Sequence, residues 1–563
     1  MRAHYCYNHT YLNPLAMVER LPSWEEPSWA WMVSVGERAL QVLINHAEND
    51  GDPRRRDETH AKHGIFREFV DRASGEVRAL VHIIKESVRA NVVHGPAQSL
   101  ESYAAMFRSI GLPPIHRDYN EDRVFAEMRV AGPNPVLLRR LDALDDRFPV
   151  TEHHFAQAVP EGGDTLEAAR REGRLYLLDY AILGDIENSD YPDIQKYVYA
   201  PLCLLVSRKT SRLLMPVAIQ CQQAPGPSNP IFTPADGHGW MIAKTVVKVA
   251  DGNCHEAVTH LGRTHLFVEP FAIATQRQLA ANHPLGVLLR PHFEGTLAIN
   301  NMAKGYLVDD RGPVDELLGG TIDSTRHLTV KGVQSYPFDE VMLPATFQAR
   351  GVDDPHLLAN YPYRDDALLF WDAIRRWVAD YLALYYRSDA DVQEDPELAA
   401  WFAELVSVDG GRVPGIGKRG ATCTREYLID AATLIVYTAS VQHAAVNFPQ
   451  YDLMSYVPNM PLACYAPAPT EKGVSTQADY LAMLPPLHHA NLQMGLGALL
   501  GSIRYTTLGE YGEGRFRDPR VAEPLRRFRD EIQAIGAKID ERNHHRRPYE
   551  FLVPAGIPQS INI

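Results

Sequence analysis

The chain has 563 residues, of which 45% are hydrophobic and 22% charged, values of a globular protein with enough apolar mass for a large core. A formal charge of -14 without any sustained run of Lys or Arg excludes a general nucleic-acid binder, which needs a basic face. No stretch approaches the roughly 20 apolar residues of a membrane span, residues 1–11 lack the apolar core of a secretion signal, and six scattered cysteines without a CxxC pair fit reduced thiols, so a cytoplasmic protein is expected.

Residues 1–27, punctuated by Pro14, Pro22, Trp24 and Pro27, read as an arm leading into a helix from about Trp29 to His46. The charge-dense stretch 48–62 reads as a loop, which makes 1–60 an N-terminal arm and helical extension. Amphipathic segments near 65–91 and 97–111 follow, then a proline-interrupted stretch to about 165. Short apolar runs at 175–183, 197–206 and 213–220 predict a small sheet. The stretch 224–236, with Pro225, Pro227, Pro230 and Pro234, reads as an irregular loop.

From Trp240 onward the periodicity is helical and long, with helices expected at about 238–249, 254–280, 295–308, 365–388, 395–407, 424–447, 474–483, 488–503 and 519–541. The segment 365–388 carries a stripe of Leu368, Trp371, Ile374, Val378, Tyr381, Leu382 and Tyr385. The pattern as a whole is mainly α, a large helical fold with long central helices and small sheet regions, in one domain over 1–563.

Within that pattern His260 and His265 enclose Leu261, Gly262, Arg263 and Thr264. On a regular α-helix, residues five apart point roughly 140° away from one another, so two such ligands could not share an ion. A π-type turn brings them into register, and π-bulges occur mostly at functional sites. The other reading has one histidine in the core and the other bonded to a backbone carbonyl. Far downstream, His443 and Asn447 are four apart and share a helix face; imidazole is a good metal donor, the amide oxygen a weak one. The chain ends Gly556-Ile-Pro-Gln-Ser-Ile-Asn-Ile563, an unusually apolar terminus. Buried, its carboxylate would need a cation, and a metal would provide one.

The run from His260 through Thr264-His265-Leu-Phe-Val-Glu-Pro-Phe, with Arg277-Gln-Leu and His283-Pro284, resembles the signature of the lipoxygenases. So do His443-Ala-Ala-Val-Asn447-Phe with Gln450, the terminal Gly556-Ile557-Pro558-Gln-Ser560-Ile561-Asn-Ile563, and, outside these, Ala200-Pro201-Leu and Tyr361-Pro-Tyr. The resemblance covers roughly 170–563. It implies the helical lipoxygenase catalytic fold, with a π-helical segment at the metal ligands; the helix-like patterns of the first 170 residues and the short chain depart from the N-terminal PLAT β-sandwich of many members, and none is expected here. It implies one non-haem iron (Fe) held by His260, His265, His443, Asn447 and the carboxylate of Ile563, with Gln450 and Glu256 behind the ligands. Leu307 and Leu500 would sandwich the reacting pentadiene, and Val314, Leu317 and Leu318 would close the pocket floor. Ala303 would set S stereochemistry.

The implied reaction removes a hydrogen atom from a bis-allylic methylene of a polyunsaturated fatty acid such as linoleate or arachidonate. O2 then adds, giving a hydroperoxide, and any membrane contact is peripheral. A fatty-acid hydroperoxide isomerase and a silent lipid-binding protein stay open as alternatives. A zinc peptidase does not, since HxxxxH is not HExxH.

Among the other histidines, His283 precedes Pro284 and is expected to end a helix. The pairs His153/His154 and His488/His489 read as surface or cap residues, and the cluster Arg542 to Arg547 as the solvated end of a helix.

Overall fold

The computed structural model describes residues 3–49, 95–159, 163–417 and 424–563. Apart from residues 48 and 49, the loop expected over 48–62 and the amphipathic segment near 65–91 fall outside them.

The described residues are mainly helical, with two small sheets among them. A two-stranded antiparallel pair, β1 (Tyr7–Asn8) and β2 (Met17–Val18), lies in the N-terminal arm. The larger sheet has five antiparallel strands in sequence order: β3 (Arg139–Arg140), β4 (Leu175–Asp179), β5 (Leu202–Ser207), β6 (Leu214–Gln220) and β7 (Ile231–Phe232). β4 and β5 show no polar alternation because both faces are covered. Leu175, Leu177, Leu202 and Leu204 meet Phe148, Phe155 and Leu166 on one side, while Tyr176, Leu178, Cys203 and Leu205 join the main core on the other. β7 falls inside the stretch expected to be irregular; its two residues pair with the end of β6.

One rod dominates the helical part. His238–Asn253, Cys254–Leu266 and Phe267–Gln278 follow one another without a break, the middle segment with π geometry. The gap expected between 249 and 254, around Gly252, does not exist. Gly252 serves close packing, since a Cβ there would lie 2.9 Å from the Leu462 side chain, and Asn253 donates to Leu462 O at 2.8 Å. Asp251, buried in the same turn, is matched by Arg129 at 2.5 Å, by Asn134 Nδ2 at 3.0 Å and by the Tyr180 hydroxyl at 2.9 Å. Arg129 comes from the helix Asp122–Ala131, which proline punctuation hid from the sequence reading.

Pro362–Leu382 packs against Arg425–Tyr437 and Ala522–Asn543. It stops one turn earlier than its apolar stripe suggested. Ile322–Gln334 was not anticipated, being rich in β-branched residues that form helices weakly. Tertiary packing makes it a helix: Leu328 and Val333 are buried, and Gly332 lets it approach the π segment so closely that a Cβ would lie 2.8 Å from Val258 Cγ1.

Three smaller expectations are corrected. His283 starts a helix, Pro284–Leu289, and its Nε2 lies 3.1 Å from Asp395. His489 is buried against the Tyr465 hydroxyl at 2.7 Å, whereas His154 does cap, accepting from Thr151 N. The basic cluster is partly interior: Arg546 pairs with buried Asp366, and Arg547 with Asp118 and Glu127.

Candidate metal centre and the cleft beside it

The π pitch of Cys254–Leu266 does what the spacing of its histidines demands. Nε2 of His260 and Nε2 of His265 lie 3.2 Å apart. Threonines brace the pitch: Thr264 Oγ1 donates to Thr259 O, five residues back, at 2.8 Å, and Thr259 Oγ1 donates to Asn134 Oδ1 at 2.8 Å. Asn134 thereby joins this turn to the Arg129–Asp251 pair. His443 arrives on a second rod, where a π turn, Thr438–Gln442, precedes His443–Asn447. Donor atoms of the three histidines all fall within 4.8 Å of one another, the arrangement a single ion needs.

The tail completes the cluster. Ile563 is 5% exposed, and its backbone oxygen is 3.2 Å from His443 Nε2. Residues 559–563 form no helix or strand, so side chains satisfy the tail's carbonyls. Trp31 Nε1 donates to Asn562 O at 2.6 Å and Thr296 Oγ1 to Ile561 O at 3.0 Å. His292 Nδ1 donates to Gln559 O at 2.8 Å. That donation leaves His292 Nε2 as an acceptor for the Tyr511 hydroxyl at 3.0 Å, and Tyr511 in turn accepts from Trp377 Nε1 at 3.0 Å. Asn447 is fully buried; its Nδ2 donates to Leu500 O at 3.1 Å and its Oδ1 accepts from Gln450 Nε2 at 2.8 Å.

Burial, reinforced by the neighbouring imidazoles, holds His260 and His443 well below the ordinary histidine range, and burial brings His265 down to about 4. All three are therefore neutral at physiological pH, each with a lone pair to give. Three imidazoles, a terminal oxygen and an amide oxygen, without a thiolate, make a donor set suited to a first-row transition metal. His443 Nδ1 is buried without a hydrogen-bond partner among the described residues.

Beside the cluster lie two adjoining apolar spaces. One is walled by Val314, Leu317, Leu318 and Met454, with Glu256, Gln450 and Gln493 as polar groups. The other is walled by Ala303, Met302, Tyr306 and Trp31 and reaches Ile563. Leu307, Leu496 and Leu500 line both, so they form the partition between them. Every pocket residue expected from the sequence thus lies on one of the two walls. Glu256 is 21% exposed, its Oε1 3.3 Å from His255 Nδ1, so it is a wall group of the cleft rather than a free helix charge. Leu496, Met454, Trp31 and Tyr306 were missed. Leu496 had a signal, one helical turn before Leu500, but Leu487–Leu500 is buried on nearly all sides, polar residues included, and no apolar stripe singles it out.

The lipoxygenase family profile matches residues 112–558. The chain is 43% identical over 501 residues to the linoleate 9/13-lipoxygenase of Pseudomonas aeruginosa, spanning 85% of this chain and 72% of that protein. It is 35% identical to the hydroperoxide isomerase of Homo sapiens, over 79% of this chain and 62% of the relative, and it spans 46% of the allene oxide synthase-lipoxygenase protein of Plexaura homomalla. Among solved structures, a LOX crystallised anaerobically in complex with arachidonate superposes with a TM-score of 0.83 at 30% identity, covering 100% of this chain and 80% of that one. No described helix is long and apolar enough to cross a membrane. With the paired π-turn histidines, the third histidine and the inturned tail now placed, the conclusion is that this chain belongs to the lipoxygenase family and is an oxygenase.

Proposed function

We propose that the chain is a non-haem iron dioxygenase that converts polyunsaturated fatty acids to hydroperoxides. The observation that carries this reading is the convergence of three neutral histidines, with His443 against the Ile563 terminus, which itself lines an apolar cleft. His260, His265, His443, Asn447 Oδ1 and the Ile563 carboxylate would hold the iron. Iron held there supplies one-electron redox chemistry, which suits removal of a hydrogen atom from a bis-allylic methylene.

The protein's share is positioning and exclusion. Leu307 and Leu500, on the partition, would grip the pentadiene, with Leu496 beside them. Val314, Leu317 and Leu318 would limit how deep the chain end travels. Gln450, bonded to Asn447 Oδ1 and facing the cleft, would couple substrate occupancy to the weakest ligand. Glu256 would act from the same wall. Ala303, small and in the space that reaches Ile563, leaves room for O2 to approach one face of the radical, and an S hydroperoxide is expected. We place this activity in one catalytic domain over residues 1–563, cytoplasmic, with at most peripheral membrane contact.

The test is metal analysis of the purified protein together with O2 uptake on linoleate and arachidonate and chiral analysis of the products. About one iron per chain, O2 consumption and an S product are expected, and Ala303→Gly should shift the chirality or position of oxygenation. A racemic or R product would defeat the stereochemical assignment. Likeness to a hydroperoxide isomerase supports a second reading, in which the iron-loaded protein rearranges hydroperoxides and takes up no O2.

A further inference from the structure

His265 differs from His443 in what stands behind it. Its Nδ1 lies 2.8 Å from Asn300 Oδ1. Asn300 Nδ2 donates in two directions, to Glu269 Oε2 at 2.8 Å and to the backbone oxygen of His265 at 3.2 Å. Glu269, 0% exposed, receives at its other oxygen the backbone N–H of Val18 in β2, at 2.7 Å. The amide orientation is forced: turned over, Asn300 would set its oxygen against a carboxylate and a carbonyl. With Oδ1 facing the ring, Nδ1 must carry the proton, and Nε2, the atom directed at His260 and His443, keeps its lone pair. His443 Nδ1 has no comparable partner among the described residues.

The N-terminal arm is built onto this relay as well. Leu12, Leu15 and Met17 form a small apolar cluster with Leu266, Val330 and Val333, with Leu261 packed against it, so the arm lies over the outer face of the π segment.

We propose that Asn300 is a positioning residue, oriented by Glu269 and by the arm's Val18 N–H, which fixes the tautomer and ring orientation of His265 as a metal ligand. The assignment rests on the reading of His265 as an iron ligand given above. Asn300 lines neither space of the cleft and is not one of the clustered histidine donors. It acts through His265, as outer partners of ligating histidines do, where losing such a partner weakens metal binding about 10- to 100-fold.

The test uses full-length protein loaded with Fe(II) under anaerobic conditions, then challenged with a strong chelator while iron release is followed; after oxidation, the ferric EPR line shape is recorded. Asn300→Leu removes both acceptor and donors and should release iron about 10- to 100-fold faster, with an altered rhombicity. Asn300→Asp keeps the acceptor and should retain iron better than Asn300→Leu even where its thermal midpoint is no higher. Tyr103→Phe, which removes a buried hydroxyl bonded to Pro485 O, should lower stability and leave iron release unchanged. Should Asn300→Leu fail to fold, Glu269→Gln carries the test, with release several-fold faster expected. Iron release and EPR indistinguishable from wild type in the Asn300 and Glu269 variants would overturn the proposal and leave the metal site standing, as would release that simply tracks the thermal midpoint. A wild-type protein that takes up no iron would overturn the metal reading and this proposal with it.

Discussion

Two regions meet at the candidate metal centre and reach it by opposite means. The His260–His265 turn is local: five residues apart on one rod, these rings converge because the backbone adopts a wider pitch. The tail at 559–563 has no regular structure, and its position is the sum of bonds donated by Trp31, His292 and Thr296 and one that Asn562 Nδ2 donates to Tyr505 O, all with residues remote in sequence. The first arrangement depends on one helix keeping its geometry, the second on the whole fold being assembled. A site made from both is complete only when local and global structure are correct together.

The sharpest way to break that comparison is at the tail. Deleting Ile563 should cut iron content to about a tenth of wild type or less, since the remaining carboxylate falls a residue short, while the π turn and the far-UV circular dichroism stay intact. Full iron occupancy in the deletion would remove the tail from the ligand set.

A pH series separates the two regions next. Burial pushes Glu269, behind His265, up to about 7, and burial brings His292, beneath the tail, down to about 4. A raised carboxyl contributes stability that is complete below its unfolded value of 4.5 and is lost as pH rises through about 7. A depressed imidazole contributes stability that is complete above 6.5 and is lost as pH falls through about 4. Between pH 4.5 and 6.5, the stability of wild type relative to Glu269→Gln should therefore fall with rising pH, and relative to His292→Asn it should rise. Each swing is on the order of 3 kcal/mol over its full window, and chemical denaturation at several pH values would read both slopes. Slopes of the same sign would contradict the assignment.

Smaller effects follow from packing and from single bonds. Gly332→Ala presses a methyl group onto Val258 in the π segment, and overpacking of this kind costs about 1–3 kcal/mol; thermal unfolding measures it, and an unchanged midpoint would mean that the two helices separate freely. Trp31→Phe removes the indole donor to Asn562 O and should cost about 1 kcal/mol. Iron release in this variant should quicken a few-fold, through the tail alone, with the EPR signature of the His265 side preserved.

The sequence was most readable where chemistry and spacing coincide. A five-residue gap between His260 and His265 can serve one ion only in a π turn, and that turn is present. Leu307, Leu317, Leu318 and Leu500 were named through resemblance, and the structure places all four along the cleft, their roles resting on the proposed function. What stayed hidden shares a different property. Asn134, Asp251, Glu269 and Asn300 work through partners far along the chain, so nothing in their own surroundings distinguishes them from ordinary polar helix residues. The helix Ile322–Gln334 was hidden because its propensity is poor and its cause is contact with another rod. His489 looked superficial because a doubled histidine is polar by composition, yet Tyr465 gives it a buried partner.

The Arg129–Asp251 junction has a consequence for alignment rather than strength. Apolar rods resist sideways separation well and sliding poorly, because one leucine-lined groove is much like the next. A slip of one turn, about 5.4 Å, would leave a guanidinium and a carboxylate unmatched in the interior, at a cost of several kcal/mol. Asp251 and His260 ride on the same rod, so that slip would carry His260 away from His443 by the same distance. The ion pair serves as an indexing pin: it selects, among near-equivalent seatings of one long helix, the one in which three imidazoles can see each other.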